Sequence, residues 1–208
     1  MDNSNNTDTI SWRKFFGGAY FTAKDLKDSG PTALTISGFE GVMMENEKTK
    51  ADEEKLVLYF EEDNRGLVVN RTMSECMDAM FGEDVRGWVG KGVTLYCDST
   101  IRFGAKTVGG VRIEGSPDIA APVKVRVKLP KRRAEEFTMQ KTKPSPFGAL
   151  LRALGDEGLS REDFDRWATG NSRPPVSAMS LEQMTKAAEW IRAGGGAAVA
   201  GKVAGGEG

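Results

Sequence analysis

Histidine is absent from all 208 residues. That removes the Ser-His-Asp and Cys-His catalytic arrangements, imidazole ligation of metals and the usual general base near neutral pH. Cysteine is scarce too. Cys76 and Cys97 stand among apolar neighbours, make no C-x-x-C pair and read as buried free thiols. No apolar run approaches the roughly 18 residues a membrane span needs. Residues 1–9 lack both the basic start and the apolar core of a secretory signal, so a cytoplasmic protein with no membrane partner is expected. Neither charge dominates, with 29 Lys and Arg against 30 Asp and Glu. The carboxylates fall in loop-like clusters, Glu45, Glu47, Asp52, Glu53, Glu54 and then Glu61, Glu62, Asp63, and read as solvated charge. No spacing brings acids into one cleft, so no enzyme, no catalytic residue, no metal and no cofactor is expected.

The even balance conceals a strong asymmetry. Residues 1–63 hold 7 basic and 13 acidic side chains, residues 64–143 hold 15 and 9, and residues 144–208 hold 7 and 8. An anionic partner belongs with the middle third. There Val123, Val125, Val127 and Leu129 alternate with Lys124, Arg126 and Lys128, which places aliphatics on one face of a strand and cations on the other. Lys131, Arg132 and Arg133 follow Pro130. Such a strand serves equally as a sheet edge guarded by charge or as a track for a phosphate backbone, whose neutralisation releases counterions.

Apolar and β-branched runs cover Ala33 to Met44, Lys55 to Phe60, Gly66 to Val69, Gly92 to Cys97 and Thr107 to Ile113. One helical stretch, Met73 to Phe81, interrupts them between the third and the fourth; Thr72 or Ser74 can cap it and Gly82 ends it. Three strands, a helix and two strands is the order of a five-stranded OB barrel, which binds single-stranded nucleic acid or oligosaccharide across one open face. On that reading Met77, Met80 and Phe81 plug the barrel and Trp88 lies in its core. Alternation leaves Val57 and Tyr59, and Thr94 and Tyr96, pointing outward. Arg102, Phe103 and Lys106 fall in the turn around Gly104, and Arg112 faces the surface. Rings interleaved with cations make a stacking platform with an electrostatic lining. The expected nucleic-acid site is therefore Tyr59, Tyr96, Arg102, Phe103, Lys106, Arg112, Lys124, Arg126 and Lys128. Single aromatics among these serve as well in an ordinary core.

The segments Tyr20-Phe21-Thr22-Ala23-Lys24-Asp25-Leu26, Val57-Leu58-Tyr59-Phe60-Glu61, Gly66-Leu67-Val68-Val69-Asn70-Arg71-Thr72, Trp88-Val89-Gly90-Lys91 with Leu95-Tyr96, and Val108-Gly109-Gly110-Val111-Arg112-Ile113 together resemble a family of small bacteriophage and prophage proteins. The resemblance runs from Tyr20 to Gly115. It implies a single-stranded-DNA-binding or recombination-accessory role in phage replication, in the cytoplasm of the host, and carries no catalytic residues. Replication proteins of that kind usually end in an acidic tail, whereas this chain ends Ala-Gly-Lys-Val-Ala-Gly-Gly-Glu-Gly.

Beyond the barrel the sequence turns helical. Pro146 opens one helix through Leu154, Ser160-Arg161-Glu162-Asp163 opens a second with Phe164 and Trp167 on one stripe, and Ser180-Leu181-Glu182-Gln183 opens a third that carries Met184, Ala187, Ala188 and Ile191. The expected organisation is a flexible segment over 1–19, a barrel with an extra basic strand over 20–137, a linker over 138–145, a helical module over 146–193 and a flexible Gly/Ala tail over 194–208. This makes a β-barrel followed by a small helical region, α+β overall. The helices either pack on themselves or dock a replication or recombination protein, and a homo-oligomer is compatible with both. The expected function is sequence-independent binding of single-stranded DNA. The alternative is a protein-interaction adaptor that uses residues 146–193, with the barrel as scaffold.

Overall fold

The spine of the protein is β1 (Thr32–Glu45), a strand that changes partners partway along its length. In the computed structural model, which describes residues 18–46, 49–103, 106–128 and 133–204, Thr32 to Thr35 pair antiparallel with Leu95 to Gly92 of β4 (Gly92–Asp98). From Ile36 onward the same strand pairs with β2 (Asp52–Phe60), in register from Ile36 opposite Phe60 to Glu45 opposite Asp52. A bulge between Ile36 and Gly38 marks the change. Bulges bend a strand and tighten its twist, which lets one strand serve two directions of sheet.

The remaining strands extend both ends. β3 (Leu67–Val68) adds to β2, and β7 (Gly110–Ser116) adds antiparallel to β4. Beyond β7 lies β9 (Glu135–Lys141), paired parallel through Gly115 with Gln140 and Ser116 with Lys141, and β8 (Val123–Val127) completes the order β3-β2-β1-β4-β7-β9-β8. Between β4 and β7 a separate two-stranded ladder joins β5 (Arg102–Phe103) to β6 (Lys106–Thr107).

The five-stranded OB barrel expected from the sequence does not form. The sheet is mixed, seven-stranded and open. Closure needs a partner on both edges of every strand. β3 is two residues long and pairs with β2 alone, while the outer edge of β7 is taken by β9. β9 also occupies the start of the expected linker, residues 138–145, and crosses the expected barrel boundary at 137. The α+β mixture stands, with six α-helices among the described residues.

The parallel contact depends on one glycine. A Cβ on Gly115 would collide with the backbone of Gln140, its carbonyl oxygen above all. Glycine in a strand commonly marks such an approach of two backbones. Gly115→Ala is expected to cost about 2 kcal/mol in urea unfolding. Gly155→Ala, in a helix and with nothing within 4 Å of the new methyl, is expected to stabilise by up to about 1 kcal/mol. Equal effects at the two sites would refute the dependence.

Two cores lie on either side of residue 145. Under the sheet, Leu34, Ile36, Leu58, Leu67, Val93 and Leu95 pack against α2 (Arg71–Phe81), which turns Met73, Cys76 and Met77 inward. Asn70, rather than Thr72 or Ser74, caps this helix by accepting from the Met73 N–H at 3.0 Å. Trp88 is buried as expected, its indole N–H donating to the Gly82 carbonyl at 2.8 Å. Val57 and Thr94, expected outside, are buried as well. A further helix, α1 (Ala23–Ser29), anchors Leu26 in the same core.

The second core joins α3 (Pro146–Asp156), α4 (Arg161–Gly170) and α5 (Leu181–Trp190) through Phe147, Leu150, Leu154, Phe164 and Trp167. Ser160 and Ser180 form the capping boxes the sequence announces. From Gly194 the chain does not run free. It turns there with φ +100° and continues as α6 (Gly196–Ala204), whose Val199 is buried in the helical core. Alanine favours helix, and one apolar anchor docks it. Residues 1–17 of the expected N-terminal segment and 205–208 of the expected tail lie outside the described residues. Among the described residues no helix is long and apolar enough to cross a membrane.

A polar knot ties the two halves. Glu62 accepts from the Thr35 N–H at 2.7 Å, from the Thr35 hydroxyl at 2.9 Å and from the Ser145 hydroxyl, while Ser145 caps α3 by accepting from the Gly148 N–H at 2.9 Å. Arg152 with Asp118 at 2.9 Å and Arg161 with Glu61 at 3.6 Å add two bridges across the same joint.

Candidate nucleic-acid interface

β8 keeps its period of two. Val125 and Val127 are buried, while Lys124, Arg126 and Lys128 are exposed. Same-face residues of a strand stand about 7 Å apart, so the three cations form an evenly spaced row. Across the ladder they face Thr138 and Glu136 of β9, in the pairs Lys124 with Thr138 and Arg126 with Glu136. Among the described residues none of the three cations makes an ion pair or hydrogen bond, nor do the exposed Arg133, Lys141 and Lys143 at the ends of β9. Several other cations are committed. Arg65 bridges Asp25 and Asp63, Arg86 holds Asp84, and Arg152 and Arg161 hold the joint between the halves. Lys131 and Arg132 lie outside the described residues.

Tyr96 and Arg112 meet as a direct cross-strand pair between β4 and β7. Arg112 is not a surface cation, since only 17% of its side chain is exposed. Its guanidinium lies 5.5 Å from the centroid of Phe137 and 3.9 Å from the Asp98 carboxylate. Its Nε is buried with no hydrogen-bond partner. Burial, reinforced by the Asp98 charge, pushes the Tyr96 phenol above its usual value. Hydrogen bonds from Thr100 hold the Asp98 carboxyl below its own.

Tyr96, Arg112 and Phe137 line a cleft of about 410 Å³. Its long walls are β7 and β9, which touch at Gly115 and Gln140 and diverge toward Arg112 and Phe137. Thr72, Met73 and Cys76 of α2 form the floor, and Glu114 and Glu136 also line the space. Burial pushes the Cys76 thiol up to about 11, so it stays protonated and unreactive at neutral pH.

Of the remaining expected residues, Tyr59 lies apart from this place. Tyr59, on β2, is four strands from β9 in the sheet order, and its hydroxyl donates to Glu40 at 3.1 Å. That bond to a carboxylate raises the Tyr59 phenol. Arg102, Phe103 and Lys106 supply the β5–β6 ladder, but their side chains lie outside the described residues. Phe137, Glu114 and Glu136 were missed. The alternation of Phe137 and Met139 with Thr138 was the available signal, masked by the acidic pair before it.

A second concavity, of about 450 Å³, opens between α4 and α5. Trp167 and Trp190 stack there at 4.8 Å with planes 23° apart, and Arg173 lies 5.2 Å from the Trp167 ring. Among the described residues no three acidic or cysteine side chains gather as metal ligands. No protein-family model, no curated protein and no solved structure matches the chain.

Proposed function

We propose that the protein binds single-stranded nucleic acid, single-stranded DNA foremost, by laying the phosphate backbone along the outer face of β8 and β9. The observation that carries this reading is the row Lys124, Arg126 and Lys128, uncommitted among the described residues, with exposed Arg133, Lys141 and Lys143 near the two ends of β9. Guarding the edge of β8 accounts for the first three alone. It gives no reason for cations where the chain enters and leaves β9, a strand paired on both sides. Phosphate neutralisation accounts for all six, and it is indifferent to base sequence. A place in phage replication or recombination rests on the motifs between Tyr20 and Gly115 alone.

Fluorescence-anisotropy titration with oligo-dT, oligo-rU and a duplex at two salt concentrations tests the reading. Oligo-dT is expected to bind with a logarithmic salt slope of about −2 to −4, as three to six phosphate contacts at roughly 0.7 each require. Absence of binding at about 50 mM salt, or a slope near zero, overturns it.

A further inference from the structure

We propose that the cleft between β7 and β9 is a base pocket that selects guanine from the bound strand. Arg112 sets the requirement. Among the described residues its buried Nε–H has no acceptor, and Asp98 at 3.9 Å stands too far to supply one. A buried donor of this kind asks for an acceptor from a ligand.

The other lining groups decide what the ligand is. Glu114 and Glu136 share the cleft with Arg112, and neither forms an ion pair with it. A free phosphate or carboxylate drawn in by Arg112 would meet two like charges. A purely apolar molecule would leave the buried Arg112 Nε–H unsatisfied, whereas Glu136, which is exposed, keeps its water. A neutral, flat ligand with acceptors on one edge and donors on another suits the guanidinium and the half-buried Glu114 together. Guanine has that pattern: O6 and N7 accept from an arginine fork, and its N1–H and exocyclic amine can donate to a carboxylate. Adenine sets a donor beside N7 and so mismatches the fork. Tyr96 and Phe137 supply flat walls, and a space of about 410 Å³ admits a purine.

The guanine is a base of the strand only if the protein binds strands, so this inference rests on the preceding reading, and its test separates the two. Full-length protein is titrated calorimetrically with dGMP, dAMP and 7-deaza-dGMP, which share a phosphate and differ in the base edge. dGMP is expected to bind at least about tenfold tighter than dAMP, with most of that advantage lost in the 7-deaza compound. Arg112→Lys keeps the charge but loses the planar fork; it is expected to equalise dGMP and dAMP. Equal binding of dGMP and dAMP by the unaltered protein, or a dGMP advantage that survives Arg112→Lys, overturns the pocket even when oligo-dT binds with its full salt slope. A dGMP preference without oligo-dT binding upholds the pocket as a nucleotide site and overturns its place on a strand.

Discussion

Replacing Lys124, Arg126 and Lys128 together with alanine is expected to lower the affinity for oligo-dT on the order of a hundredfold at about 50 mM salt, and to make the salt slope shallower by about 2. Each side chain is exposed and free of partners within the described protein. Removing them therefore changes stability by no more than about 0.5 kcal/mol, and the loss reports on binding. Each contact contributes about 0.7 to the exponent of salt dependence for a single strand, and three contacts set both numbers. Anisotropy titrations at three salt concentrations measure them. An affinity drop with an unchanged slope would mean that these cations act through something other than phosphate. No drop would remove β8 from the interface.

The second large effect is structural. Glu62→Ala is expected to destabilise the protein by about 3 kcal/mol and to lower the melting temperature by about 10 °C. The carboxylate accepts three hydrogen bonds, from the backbone and hydroxyl of Thr35 and from the hydroxyl of Ser145. Thr35 and Ser145 are buried, so water cannot take over when the acceptor goes. An unsatisfied buried donor costs about 1–3 kcal/mol. The two hydroxyls, 3.1 Å apart, recover part of the loss by turning to each other, which leaves the Thr35 N–H as the main uncompensated group. Glu61→Ala is the control. It removes only the partly exposed bridge to Arg161 at 3.6 Å and is expected to cost less than about 1 kcal/mol. Urea unfolding of the two variants side by side decides the matter, and similar losses would show that the knot adds nothing beyond a surface ion pair.

What could be read from the chain was local. The alternation of β8 and the capping boxes at Ser160 and Ser180 depend on residues within a few positions of one another, and they match the structure, whereas the alternations of β2 and β4 break at Val57 and Thr94, which are buried. Barrel closure was misjudged because it depends on distant pairing. Whether β3 reaches β7 is settled by β9, which takes the β7 edge and whose Glu135, Glu136 and Gln140 disguise a strand as a linker. The candidate site divides in the same way. The exposed face of Lys124 and Arg126 follows from a period of two. The depth of Arg112 follows from Phe137 and α2, which flank it from opposite directions along the chain. Tyr59 had the right residue type and the right face, and lies at the wrong end of the sheet.

The change of partner along β1 also dictates an order of events on the ribosome. Once residue 60 has emerged, the stretch from Ile36 to Glu45 has its whole complement in β2. The stretch from Thr32 to Thr35 must wait for Gly92 to Leu95, and Glu62 waits 83 residues for Ser145. A nascent chain therefore carries a finished hairpin with one raw edge for much of its synthesis. That interval, rather than the completed molecule, is when two growing copies are most prone to stick together.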